Sequence, residues 1–102
     1  MKFKKTPADG NIFRDIGFPP EEAEHLLIRS MLMTAISQTI KARELTQAKA
    51  AALFGVTQPR VSDLVRGKIH LFSIDTLVDM LAHAGMRVRI VTEPVSKRRR
   101  VA

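Results

Sequence analysis

The chain has 102 residues and no cysteine, which excludes disulfides, thiolate chemistry and cysteine-based zinc sites. Hydrophobic residues make up 45% of it, too many for wholesale disorder, and no apolar run approaches the roughly 20 residues that span a bilayer. The net charge of +7 belongs to the tails: Lys2, Lys4 and Lys5 at one end and Lys97 to Arg100 at the other leave residues 6–96 neutral.

Within that neutral body the charges are segregated. Residues 41–68 carry Lys41, Arg43, Lys49, Arg60, Arg66 and Lys68 against Glu44 and Asp63, a local +4, while 6–40 carry −3 and 69–96 carry −1. A basic segment between acidic ones suits a surface that meets a phosphate backbone. The length suits one domain with short tails, small enough to gain from dimerisation. The basic start at Met1–Lys5 lacks the apolar stretch of a signal peptide, so a soluble cytoplasmic protein is expected.

Residues 1–19 hold Pro7, Gly10, Gly17 and Pro19 without periodicity and read as an irregular arm. Ile12, Phe13, Ile16 and Phe18 make a short apolar clip within it. Pro20 followed by Glu21, Glu22 and Glu24 starts a helix, because proline tolerates the first turn and acids favour the positive end of the dipole. Leu27, Ile28, Met31, Leu32, Ala35, Ile36 and Ile40 then recur every three to four residues. One amphipathic helix follows, running to about Arg43 and spanning roughly 34 Å, with Ser30 the place for a break.

Thr46 caps a helix over Gln47–Phe54 and Gly55 ends it; Thr57 caps the next, with Pro59 in its first turn and Gly67 closing it. Ser73 caps a further helix over Ile74–Ala84, which Gly85 stops. Met86, Val88 and Ile90 then alternate with Arg87 and Arg89, the period of a β-strand. A lone strand needs a partner for its backbone groups. The same strand of a second copy would supply one, making Val88 and Ile90 dimerisation residues; an extended tail on its own body is the alternative. The organisation expected is an arm (1–19), a helical domain (20–85), a strand (86–94) and a basic tail (95–102).

The stretch from Thr46 to Lys68 carries the function. Ala50 is small where two helices cross, Gly55 allows the positive φ of the turn, Val56 plugs the turn, and Leu53, Val61 and Leu64 fix the second helix against the first. Gln58, Pro59, Arg60, Ser62 and Asp63 are left facing outward, where the start of a recognition helix reaches base edges. Gln58 suits adenine and Arg60 guanine. Gln47 and Thr57, at helix N-termini, suit phosphate, with Arg43, Arg66 and Lys68 as further phosphate contacts.

Thr46-Gln47, Ala50, Gly55-Val56-Thr57-Gln58, Val61-Ser62, Leu64 and Gly67-Lys68 together resemble the helix-turn-helix of the Cro-type (XRE-family) repressors. The resemblance implies an all-α, lambda-repressor-like bundle, here with a long N-terminal helix and a short C-terminal β-strand. It implies a homodimeric repressor on double-stranded operator DNA. Two departures stand out: Val65-Arg66, where many relatives place an acid before the glycine, and Pro59, which removes a polar base contact.

Over residues 12–92 the chain is similar to small XRE-type antitoxins. The likeness rests on Phe13–Pro19 before the acidic helix start, Thr57–Leu64, Arg66–Ile69, Phe72-Ser73, Leu77 and the segment led by Gly85. Such relatives bind a RelE/HigB-like toxin and repress their shared operon; a stand-alone repressor without a toxin is the alternative.

No nucleophile–base set, phosphate-cradling loop or carboxylate pair suggests an enzyme, and no cofactor is implied. His25, His70 and His83 lack ligand spacing, so no metal is expected and surface or capping roles fit them. Glu21, Glu22 and Glu24 could dock a basic partner or merely complement the dipole. Met31, Met33, Met80 and Met86 read as core. The terminal basic runs are either DNA-grasping arms or solubilising tails.

Overall fold

The structure, a computed structural model, describes residues 11–94. The terminal basic runs lie outside them. Five α-helices follow in order: α1 (Ile12–Asp15), α2 (Pro20–Ala42), α3 (Gln47–Phe54), α4 (Gln58–Val65) and α5 (Ile74–His83), with a 3-10 turn at Ile69–Leu71 between the last two. None of them is long and apolar enough to cross a membrane. The chain divides into two units, one of Met1–Leu27 with Arg89–Ala102 and the other of Ile28–Val88.

In the first unit, a buried Asn11 caps α1. Its side chain accepts from the Phe13 amide at 2.9 Å and donates to Glu24 Oε2 at 3.3 Å. Phe13 and Phe18 meet edge to face at 6.2 Å. Ala23 and Leu26 are buried, whereas Ile16 is two-thirds exposed. The apolar clip expected at 12–18 therefore hides only part of its surface.

In the second unit, the core draws Leu32, Met33 and Ile36 from α2, Ala50, Ala51 and Phe54 from α3, Val61 and Leu64 from α4, and Leu77, Met80 and Leu81 from α5, with Phe72 between the last two helices. Each of the larger of these side chains contributes roughly 1.5–3 kcal/mol on removal from water. The helical stripe of α2 continues past Ser30 without a break. Met31 departs from expectation: it is 62% exposed on the far face. The helix ends with Glu44 in the left-handed region at φ 51°, where the Leu45 amide turns back to the Ile40 carbonyl at 3.0 Å.

The C-terminal β-strand is not formed. Residues 86–94 carry no regular structure, and the described residues contain no strand, so the all-α class holds without it. The alternation itself is present: Met86 and Val88 pack on the core, while Arg87 and Arg89 are exposed. Its cause is the packing of Met86 and Val88 on the helical core, which turns these two side chains inward. A strand needs a neighbour to take its amides and carbonyls. The expected dimerisation pair is also divided, since Val88 is half-buried on its own chain while Ile90 is 82% exposed.

Candidate nucleic-acid interface

Two helices and the turn between them form the site. At the start of α3 the Thr46 hydroxyl accepts from the Lys49 amide at 3.1 Å, satisfying one of the orphan amides there. Gln47 stands exposed in the first turn beside it. Ala50, fully buried, lets α4 approach α3. Gly55 ends α3 at φ 69°, and the Val56 amide wraps back to the Ala51 carbonyl at 3.0 Å.

A second contact explains that glycine. The imidazole of His83, on α5, lies so close that a Cβ on Gly55 would meet its ring atoms at 2.8–3.0 Å. The same ring sets Nδ1 at 3.0 Å from the Leu53 carbonyl, so Nδ1–H donates to an unsatisfied group at the end of α3. His83 is thus a capping residue, held over the turn.

The Thr57 hydroxyl accepts from the Arg60 amide at 3.3 Å and starts α4. Pro59 sits in the first turn, where its missing amide costs nothing. Val61 and Leu64 face the core, and the opposite side presents Gln58 and Pro59 exposed and Ser62 and Asp63 part-exposed. Gly67, at φ 75°, follows the helix, and the Lys68 amide wraps back to the Asp63 carbonyl at 3.1 Å. Asp63 also pairs with the Lys68 ammonium at 3.7 Å, a surface contact worth about 0.5 kcal/mol. Arg60 behaves differently from its neighbours. Its Nη1 donates to the Leu71 carbonyl at 3.1 Å, and its guanidinium lies 4.7 Å over the Phe72 ring.

A helix-turn-helix domain family matches residues 12–93, four-fifths of the chain. A solved structure named as an XRE-family transcriptional regulator superposes with a TM-score of 0.66 at 33% identity, covering 74% of this chain and 85% of that one. The chain belongs to the XRE family of helix-turn-helix proteins. No curated protein matches it.

Within this XRE-type frame, α3 and α4 are the two motif helices, and α4 is its second. The structure brings Thr57, Gln58, Pro59, Arg60, Ser62 and Asp63 together on that helix, with Arg66 exposed and Lys68 part-exposed just beyond its end. Gln47 opens α3, and Arg43 is exposed after α2. Val88 and Ile90 lie outside the motif. At the departure noted before Gly67, Val65 is 46% exposed, and the ion pair found there joins Asp63 to Lys68 instead.

Two residues that hold the site do not show in the sequence. Leu71 and Phe72 hold Arg60 from 11 and 12 positions away, and no local pattern signals such a contact. His83 takes the capping role among those expected of it, and its place over Gly55 depends on how α5 packs against α3.

Proposed function

We propose that the protein is a sequence-specific transcriptional repressor that reads double-stranded operator DNA as a homodimer, with α4 as the recognition helix. The observation that supports this most is the outward face of α4: Gln58 and Pro59 are exposed at its capped start, with basic residues just beyond its end. Gln58 would pair through its amide with adenine N6 and N7, Pro59 would touch a thymine methyl, and Ser62 and Asp63 face the same groove. The Thr57 oxygen already accepts a backbone bond, which leaves its O–H to donate to a phosphate. Gln47, Arg43, Arg66 and Lys68 are the remaining phosphate contacts in this reading. Two copies would set their α4 helices in successive major grooves about 34 Å apart.

Selection of duplexes from a randomised pool, followed by Gln58→Ala on the recovered site, tests the reading. A loss of about 1–3 kcal/mol with relaxed preference at one base pair is expected, whereas Gln47→Ala should weaken all duplexes alike. Unchanged preference in the Gln58 variant would show that α4 is not the reading element.

A second reading, compatible with the first, makes the protein the antitoxin of a RelE/HigB-like toxin that autoregulates its operon. The exposed apolar pair Ile28 and Met31, one turn apart on α2, favours it, because operator reading by α4 does not use them. Co-expression with the neighbouring gene product tests it. Failure of the two to co-purify leaves the stand-alone repressor.

A further inference from the structure

We propose that Arg60 is a positioning residue of the DNA interface and not one of its base readers. The inference rests on the reading of α4 as the recognition helix, and it assigns Arg60 the task of holding the segment after that helix. The guanidinium uses both of its recognition modes within the protein. One N–H donates to the Leu71 carbonyl at 3.1 Å, and its flat face covers Phe72 at 4.7 Å. Phe72 is itself 1% exposed, so the ring is fixed in the core and the cation above it sits on a rigid platform. A guanidinium that swung out to a guanine edge would give up these contacts, which offsets much of what a bidentate base pair would add.

Asp63 lies three residues further along α4, on the same face one turn on. Its pairing with Lys68 at 3.7 Å catches the same segment nearer its start. Between these two ties lie Lys68 and the 3-10 turn Ile69–Leu71. Gly67 itself is uncrowded, a methyl there meeting nothing within 4 Å, and core packing resumes at Ile69. The tie from Arg60 to Leu71 and Phe72 adds to that packing in setting where Lys68 stands relative to Gln58. Lysine would not reproduce it, since a rotatable ammonium lacks the flat face that lies over the ring.

The test measures binding of Arg60→Ala, Phe72→Leu and the double variant to a duplex selected by the wild-type protein and to its single-base-pair variants, over a range of salt. Arg60→Ala should weaken every duplex by the same factor, roughly tenfold, with base preference unchanged and the salt slope lower by about one. Phe72→Leu, assayed where circular dichroism shows it folded, should do the same although Arg60 is intact, and the double variant should be no weaker than the weaker single one. Lys68→Ala should lower the slope in the wild-type background but not beside Arg60→Ala. Relaxed preference at one base pair in Arg60→Ala would make Arg60 a reader and overturn the proposal while leaving α4 as the recognition helix. A normal salt slope in Phe72→Leu would overturn it too, since Arg60 would then be touching phosphate directly. If the wild-type protein selects no sequence at all, the DNA reading fails first and takes this role with it.

Discussion

Helix α4 is bounded by two glycines with nearly the same backbone. Gly55 precedes it at φ 69° and Gly67 follows it at φ 75°, and at each the next amide wraps back to a carbonyl five residues earlier. Their surroundings differ. A methyl on Gly55 would strike the His83 ring at 2.8 Å, whereas one on Gly67 would meet nothing within 4 Å. A distant helix closes over the turn before α4, whereas the glycine after it is uncrowded and side chains of α4 reach Lys68 and Leu71 just beyond. Glycine is demanded twice over at the first position and only by the left-handed backbone at the second.

The largest expected effect breaks that comparison at its stronger end. Gly55→Ala adds left-handed strain to a clash with a ring that hydrogen-bonds α3, and should cost about 3 kcal/mol in chemical denaturation. Adding His83→Ala should recover about half of that loss, and a double variant no better than the single would place the penalty wholly in the backbone. Gly67→Ala should cost about 1.5 kcal/mol, from strain alone, and His83→Ala should give it no relief; equal losses at the two glycines would erase the distinction. Thr57→Ala, which leaves the turn intact but removes the cap of α4, should cost about 1 kcal/mol by the same measurement. The smallest effect has the opposite sign. Glu44 occupies a third left-handed position, at φ 51°, with a full side chain. Glu44→Gly should raise stability by about 0.5 kcal/mol, as relief of strain slightly exceeds glycine's entropy cost, visible as a small rise in Tm.

Much of the motif was legible because its signals are short-range. Thr46, Thr57 and Ser73 each cap through a bond to an amide three residues on, so residue type and position suffice to recognise them. The stripe Leu32, Ile36 and Ile40 revealed α2 because helical spacing alone puts those residues on one face. Met31 did not fit, since periodicity finds the stripe but not how wide a neighbour covers it. The segment 86–90 misled for a related reason. Alternation reports that alternate side chains are covered, and the helical core covers Met86 and Val88 here as a sheet would.

For the candidate site, position and surroundings separate in the same way. That Gln58, Pro59, Ser62 and Asp63 face away from the core follows from Val61 and Leu64, which must face inward on the same short helix, with Arg60 at the flank of that inward side. The two charged members nonetheless have partners, Arg60 with Leu71 and Phe72 and Asp63 with Lys68, beyond a turn whose course that spacing does not describe.

By itself the sequence determined helices α2 to α5, the caps of the last three and the glycine between α3 and α4, because each depends on atoms within about five residues along the chain, whereas α1 lies in what reads as an irregular arm. Tertiary structure alone decided that His83 closes over Gly55, that Arg60 is spent on Phe72, and that residues 86–94 stay outside any sheet. Those three outcomes turn on which surfaces meet after the helices have packed, and such meetings join residues 12, 28 and more positions apart.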